Sequence, residues 1–382
     1  MERDEKKRVN CSCAIIATCH VRYELVNLNV LSLFQHSHNI YPRTMPMAAK
    51  NPVVFFTLLL LVVGVCLPSS LAMSSSKSAG GARIIDSHLH VWANSQEAER
   101  YPYEPGQEPP ASLVSEASYG SLLEKMDESG VGGALIVQPI NHKFDHQYVT
   151  RAIKEHPSRL KGMLLHDPSL GPTDAVERLE QLALAGFVGV RFNPYLWPEG
   201  GLMSAEGGSG LDVYRRCGEL LMPVGVMCFK GLELHYDDIV KLIEASPATT
   251  LVLDHMGFCS LDQRGEAAFK QLLSLAKYDN VVVKISALFR VAGGDDSFPY
   301  AEVKYKRFQP LLEAYGPDRL MFGSDFPFVI EKEGRYGGAV DVVRSWLAED
   351  RAARDAVMGG TAERLFGPWG APEKGKGLEQ ES

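Results

Sequence analysis

The chain has 382 residues, of which 45% are hydrophobic and 23% charged, and its formal net charge is −8. That length is more than one small core needs, and the composition is ordinary for a soluble globular protein. The acidic balance, without a basic stripe interleaved with aromatic residues, argues against a nucleic-acid-binding surface.

Residues 1–81 differ in composition from the rest of the chain. Within them the run 53–66 is apolar except for Thr57 and Gly64, and it is shorter than the ~20 residues of a membrane-spanning helix. Its length suits the apolar core of a signal peptide, and the Ser- and Gly-rich stretch 74–81 predicts a flexible linker. We therefore expect the folded domain to begin at residue 82.

Three interpretations of this extension stay open. The run 53–66 is a secretory signal or a membrane anchor, the extension is a plastid-type targeting peptide, or it is absent from the mature protein. The body has three cysteines, Cys217, Cys228 and Cys259, and an odd, widely spaced trio is not a disulfide framework. The body is thus typical of a reducing compartment such as the cytosol, which weighs against secretion.

From residue 82 the chain alternates between short runs of β-branched and other apolar residues and longer amphipathic stretches. The short runs predict eight strands, at 83–86, 134–138, 161–166, 188–192, 223–229, 250–254, 280–285 and 319–323. The amphipathic stretches predict eight helices, at 122–129, 147–156, 174–185, 210–221, 236–245, 264–278, 302–314 and 340–348. Near-continuous apolar strands are typical of a parallel sheet covered on both faces, so eight β–α units predict a (β/α)8 TIM-type barrel over 82–370.

The alternative architecture is a doubly wound open sheet. It is weakened because no G-x-G-x-x-G motif follows the first strand, which leaves dinucleotide binding without support. The charged segment 371–382 is predicted to be a disordered tail. In a barrel the active site forms at the carboxyl ends of the strands, so functional side chains are expected there.

His88 and His90 follow the first predicted strand. Two histidines at i and i+2 share one face of a strand, where they can bind a divalent metal or polarise a substrate carbonyl. The alternative is an unrelated pair, one histidine buried and hydrogen-bonded and the other exposed. The functional interpretation gains weight because polar and titratable groups recur at the later strand ends.

Two of these later groups carry acid–base or ligand chemistry. Asp325 follows the apolar run 320–322 and can serve as a metal ligand or as the base that deprotonates a hydrolytic water. A turn-capping aspartate before Pro327 is the alternative. His255 follows the sixth strand and can hold a substrate oxygen or complete a metal site, or it is a core histidine.

Four other polar groups are candidates for substrate binding. Arg191 occupies a barrel position that would otherwise be apolar, so it needs an anionic partner, either Asp254 or a substrate carboxylate. Lys284 likewise carries a positive charge at a strand position, so it too needs either a protein carboxylate or the substrate as its partner. Asn141 and Asn193 lie just beyond the second and fourth strands and complete the predicted polar rim.

Five segments in the same order resemble the amidohydrolase-related proteins (amidohydrolase family 2), namely 85–92, 189–193, 252–255, 282–286 and 318–327. The resemblance covers about 82–368 and is strongest to the branch that contains 2-pyrone-4,6-dicarboxylate lactonase and sugar lactonases. It implies a (β/α)8 hydrolase in which His88, His90, His255 and Asp325 are catalytic. It also implies that Arg191 could bind a substrate carboxylate.

The resemblance leaves the metal open. Metal-dependent members of the wider superfamily commonly have a histidine at the end of strand five, where this chain has Cys228, Phe229 and Lys230. Either one divalent ion such as zinc binds to His88, His90 and Asp325, or the histidines polarise the carbonyl without a metal.

The resulting hypothesis is the opening of a lactone or similar carboxylic ester. Arg191, with Lys284, holds the substrate, and Asp325 takes a proton from the attacking water. Three alternatives stay open: a metal-dependent decarboxylase of a small unsaturated or aromatic acid, an amide or imide hydrolase, and a non-catalytic ligand-binding barrel.

Overall fold

The computed structural model describes residues 82–294 and 296–370. The predictions for the extension 1–81, including the apolar run 53–66, and for the tail 371–382 lie outside the described residues. In the part that is described, no helix is long and apolar enough to cross a membrane. The three body cysteines are free and buried, as expected for a body without disulfides.

Eight parallel strands form one sheet in sequence order. They are β1 Ile84–Leu89, β2 Val131–Val137, β3 Leu160–Leu165, β4 Phe187–Phe192, β5 Val224–Val226, β6 Leu251–Leu253, β7 Val281–Ser286 and β8 Leu320–Gly323. The chain beyond β8 returns to the end of β1, because Asp325 N–H donates to the His88 carbonyl (2.9 Å) and His90 N–H donates to the Phe326 carbonyl (2.7 Å). The sheet is therefore a nearly closed barrel, consistent with a (β/α)8 barrel, and the eight predicted strands are confirmed.

Helices follow every strand. They are α1 Tyr119–Glu128, α2 Gln147–Glu155, α3 Pro172–Leu184, α4 Ser209–Leu220, α5 Tyr236–Ala245, α6 Gln263–Ser274, α7 Leu288–Ala292, α8 Ala301–Val303, α9 Gln309–Tyr315, α10 Arg335–Trp346, α11 Arg351–Asp355 and α12 Thr361–Phe366. Each long helix packs an apolar stripe against the sheet, and Ser118 and Asp262 cap the first turns of α1 and α6 with their side chains.

The predicted helix 302–314 is replaced by three pieces. α8 is followed by a π-helical turn, Lys304–Phe308, and then by α9. Pro310 lies in the first turn of α9, where its missing N–H interrupts the regular hydrogen-bond series of a continuous helix.

The first strand also extends further than predicted. It runs to Leu89, which pairs with Ile136 of β2 after a register shift. His88 therefore lies inside β1, and the prediction that the strand ends at Asp86 is wrong. Pairing with β2 on either side of the register shift, at Asp86 and at Leu89, holds the backbone that carries His88.

The barrel interior contains its own apolar cluster. Its strand residues include Ile85, Met163, Val252 and Met321, all almost fully buried. Below them the segment after the last helix covers the amino-terminal end of the barrel, where the Trp369 indole N–H donates to the Ala134 carbonyl (3.3 Å). The opposite end, at the carboxyl ends of the strands, is open.

Candidate active site

A cavity of about 350 Å³ opens at the carboxyl ends of the strands. Aromatic and aliphatic side chains form part of its wall, among them Trp92, Phe258 and Phe328. Polar side chains form the rest: His90, Gln107, Gln138, Asn141, Arg191, Asn193, His255, Arg290 and Asp325. A concave, partly apolar site with convergent polar groups is the usual form of a small-molecule site.

Asp325 lies at the centre of this polar group. Its Oδ1 is 3.9 Å from His88 Nε2, 3.7 Å from His90 Nε2 and 3.7 Å from His255 Nε2. Its Oδ2 accepts a hydrogen bond from Arg290 Nε at 2.8 Å. Burial raises the pKa of Asp325 to about 6, against the opposing effect of Arg290. The side chain is thus a carboxylate at neutral pH that can still accept a proton.

The backbone of this region is held in an uncommon conformation. Asp325 has φ 62°, and His255, Met256 and Phe258 have φ between 52° and 55°. Left-handed backbone at residues other than glycine costs free energy and is found where a structure fixes a functional side chain. It turns His255 and Asp325 from the ends of their strands towards the cavity.

The Nε2 atoms of the three histidines, the inner nitrogens, face Asp325. Their Nδ1 atoms, the outer nitrogens, contact other groups. His90 Nδ1 donates to the Val137 carbonyl (2.9 Å), and His255 Nδ1 lies 2.8 Å from Ser286 Oγ. Burial lowers the pKa of His88 to about 3 and lowers the pKa of His90 and His255 well below the ordinary value. All three are therefore neutral imidazoles at neutral pH.

A second buried carboxylate, Asp254, lies behind His88. Its Oδ1 is 3.0 Å from His88 Nδ1 and 3.2 Å from Lys284 Nζ, and its Oδ2 is 3.1 Å from Arg191 Nη2. Burial alone would raise the pKa of Asp254, but the Lys284 ammonium and the Arg191 guanidinium hold it well below its ordinary value. Asp254 is therefore a carboxylate that forms ion pairs with both cations.

The sequence left Arg191 two candidate partners, Asp254 and a substrate carboxylate. Arg191 pairs with Asp254 and also lines the cavity. The contact is an ion pair, not a directed hydrogen bond, because Nη2 and Nε have no hydrogen-bond partner among the described residues. Nε and Nη2 of this cavity-lining guanidinium are therefore donors without an acceptor among the described residues.

The structure brings most of the predicted site residues together. His90, His255, Asp325, Arg191, Asn141 and Asn193 line the cavity. His88 Nε2 faces Asp325 directly behind the cavity wall.

Lys284 does not line the cavity. It is fully buried, and its ammonium lies between Asp254, His88 and Met163. The prediction that Lys284 binds the substrate does not fit this placement, because other side chains enclose its charge. The ammonium instead contacts His88 Nδ1, so Lys284 acts on the site through this histidine.

Arg290 is a cavity residue that the sequence did not single out. It lies in α7, in the long connection after β7, and it bonds directly to Asp325. No strand periodicity marks such a position. An arginine between the apolar residues Phe289 and Val291, soon after a strand end, was the available signal.

Two other buried histidines, His142 and His146, bond to backbone groups. His142 accepts a hydrogen bond from Ala93 N–H at Nε2 (3.2 Å), and its Nδ1 donates to the Pro102 carbonyl (3.0 Å). His146 likewise bonds to Leu165 N–H and the Phe144 carbonyl. Both nitrogens of each ring are occupied by backbone groups.

Three side chains of the types that bind divalent ions lie close together at the site. The nearest ligand atoms of His88, His255 and Asp325 lie within 4.8 Å of one another, and His88 Nε2 is buried without a hydrogen-bond partner in the described region. Imidazole nitrogen with one carboxylate oxygen is a common zinc donor set. This group contains His255 in place of the predicted His90, and it does not include Cys228.

Known proteins resemble this chain in sequence and fold. A family model described as amidohydrolase matches residues 85–367. A 4-sulfomuconolactone hydrolase from Rhizobium radiobacter is 28% identical over 296 residues, which are 74% of this chain and 89% of the relative. An L-fucono-1,5-lactonase from Burkholderia multivorans is 32% identical over 145 residues, 35% of this chain and 48% of the relative.

A solved structure gives the same picture of the fold. The crystal structure of a probable 2-pyrone-4,6-dicarboxylic acid hydrolase from Acinetobacter baumannii matches with a TM-score of 0.59 and 22% identity. The match covers 75% of this chain and 99% of the other. At that identity the likeness supports the shared barrel.

Proposed function

The chain belongs to the amidohydrolase family and is a hydrolase, and from this premise we propose that it opens a lactone or similar carboxylic ester of a small anionic substrate. The family resemblance predicted from the sequence is confirmed. Both relatives reported above are named for lactone hydrolysis. The observation that carries the proposal is the convergence of three imidazoles on one carboxylate oxygen beside the cavity.

The charge of the site favours an anionic substrate. Two buried carboxylates, Asp254 and Asp325, lie among three cations, Arg191, Lys284 and Arg290. Among the charged side chains that line the cavity there are two cations, Arg191 and Arg290, and one carboxylate, Asp325, so positive charge predominates on the cavity wall. A planar guanidinium binds carboxylate oxygens in pairs, which supports a carboxylated substrate.

Asp325 and His90 are suited to hold the attacking water. His90 donates from Nδ1 to a backbone carbonyl, so its neutral ring has a lone pair at Nε2. Asp325 Oδ1, 3.7 Å away, is a second acceptor. A water between them donates one hydrogen to each and directs an oxygen lone pair away from both.

The proposed reaction balances without a further reagent. Asp325 takes a proton as the water oxygen bonds to the carbonyl carbon. The bond from that carbon to the ring oxygen then breaks, and Asp325 returns the proton to the leaving oxygen. His255, the other histidine that lines the cavity, contacts Ser286 Oγ through Nδ1, and its Nε2–H stabilises the charge that develops on the carbonyl oxygen.

A divalent ion would be held by His88, His255 and Asp325 and would supply Lewis-acid polarisation there. The proposed roles of Arg191 and Arg290 are the same with or without it. Assays with and without a chelator therefore test whether activity needs a metal, and neither result changes the proposed substrate class.

The experiment measures acid release by the full chain from lactones with and without a carboxylate. Because general base catalysis contributes about 10²–10⁴-fold, Asp325→Asn should lower kcat at least ~100-fold. Asp318→Asn is the matched control, since this exposed aspartate precedes the same strand at its other end, and it should leave kcat unchanged.

Other outcomes would contradict the proposal. Activity of Asp325→Asn within a few-fold of the wild type would remove Asp325 from the role of base. Release of carbon dioxide from an unsaturated acid would identify a decarboxylase. Tight ligand binding without turnover, equal in the wild type and Asp325→Asn, would identify a binding barrel.

A further inference from the structure

The outer nitrogen of His88 has two competing neighbours. His88 Nδ1 lies 3.0 Å from Asp254 Oδ1, which can only accept a hydrogen bond. It also lies 3.1 Å from Lys284 Nζ, whose ammonium can only donate. A neutral ring satisfies one of them at a time, so the choice fixes which nitrogen of His88 carries the proton.

The donors of Lys284 favour an unprotonated Nδ1. The ammonium is fully buried and has three hydrogens. Its neighbours are Asp254 Oδ1 at 3.2 Å, Met163 Sδ at 3.8 Å and His88 Nδ1. With Nδ1 as an acceptor, each hydrogen has a partner, whereas a proton on Nδ1 leaves one buried donor unsatisfied.

The inner side of the ring favours the same arrangement. His88 Nε2 faces Asp325 Oδ1 at 3.9 Å and has no hydrogen-bond partner in the part of the chain that is described. An N–H at this position is attracted to the carboxylate, and a lone pair is repelled by it. Lys284 and Asp325 thus favour a proton on Nε2, and Asp254 alone favours one on Nδ1.

The neighbouring histidine has the opposite arrangement. A backbone carbonyl holds the proton of His90 on Nδ1, which leaves a lone pair at Nε2. The two members of the His-x-His pair thus present different groups to Asp325: His88 a donor and His90 an acceptor.

We infer that Lys284 is a positioning residue, which holds His88 in its Nε2–H tautomer as a donor that faces Asp325 and so disfavours a divalent cation at this site. Ligation through Nε2 needs the lone pair that this tautomer lacks. The consequence for Asp325 as the base rests on the proposed function, whereas the tautomer and its effect on metal binding do not.

The tautomer can be measured directly in the full chain. In protein labelled with ¹⁵N-histidine, the two ring nitrogens of His88 are assigned by their loss in His88→Gln. We expect Nδ1 to have the shift of an unprotonated nitrogen and Nε2 that of a protonated one. A protonated Nδ1 in the wild type would overturn the inference, and this measurement needs no variant of Lys284.

Lys284→Met tests the cause. Without the ammonium, Nδ1 can donate to Asp254, and the proton should move from Nε2 to Nδ1. Because the opposing hydrogen bond and one positive charge are gone, affinity for zinc ion alone should rise about 10- to 100-fold in titration calorimetry. Lys241→Met, on the exposed face of α5, is the control and should change neither readout.

Kinetics separate this inference from the proposed function. In a metal-free buffer, Lys284→Met should lower kcat with little change in KM, because the ammonium does not line the cavity. An unchanged tautomer and unchanged zinc affinity in the folded variant would contradict the inference, whatever the enzyme turns over. Failure to hydrolyse any lactone would contradict only the proposed function, since the nitrogen shifts and the zinc titration remain.

Discussion

The two ends of the barrel are built from different chemistry. At the amino-terminal end, Phe366 and Trp369 pack on apolar strand residues such as Met163. The Trp369 ring also donates one indole hydrogen bond to Ala134 and lies under the Lys161 ammonium. At the carboxyl end, Asp254 and Asp325 are buried among cations and neutral histidines. One end is closed, and the other opens into the cavity.

This difference separates stability from function. Apolar burial at the closed end favours folding in proportion to the area removed from water. Buried charges at the open end are costly to desolvate, and the left-handed backbone at Asp325 and His255 adds strain. Substitutions at the closed end should therefore change the free energy of unfolding, and substitutions at the open end should change catalysis.

The largest expected effect is at the closed end. Trp369→Ala removes a large side chain that is 5% exposed, so the free energy of unfolding should fall by about 3–5 kcal/mol. Urea unfolding measures this change, and kcat per folded molecule should stay at the wild-type value. Trp369→Phe keeps most of the packing and should cost less. A fall in kcat without a loss of stability would contradict the assignment of stability to the closed end and catalysis to the open end.

At the open end, Arg290→Met should change catalysis with little effect on folding. Loss of a hydrogen-bonded guanidinium facing an anionic substrate should lower kcat/KM about 10- to 100-fold for a carboxylated lactone. The loss should be much smaller for the uncharged analogue. Arg351→Met, on an exposed part of α11, is the control. Equal losses for both substrates would exclude a charge-selective role.

The closed end and the barrel were predictable from the sequence to different degrees. All eight strands were found because buried parallel strands are near-continuous apolar runs. The plug formed by α12 and Trp369 was not found, because a short helix after the last long one has no periodicity of its own. The π-helical turn before Pro310 shows how one proline changes the hydrogen bonding within a predicted helix.

For the open end, residue types were predictable and contacts were not. His88, His90, His255 and Asp325 follow or end strands, so strand order alone places them on one rim. The partners of Lys284 depend on which side chains meet inside the barrel, and Arg290 lies in a connection whose path the sequence does not specify. Loops carry functional residues without a repeating pattern.

The smallest expected effect is a pH dependence that only the open end should show. Because burial raises the pKa of Asp325 to about 6, kcat/KM should be half-maximal near that pH. The base is active as a carboxylate, so the rate should fall roughly tenfold per pH unit below it and level off above it. Arg290 lowers this pKa, so Arg290→Met should move the acidic limb to higher pH. Trp369→Phe should leave the limb in place, and a limb that moves to lower pH in Arg290→Met would separate Asp325 from the proton transfer.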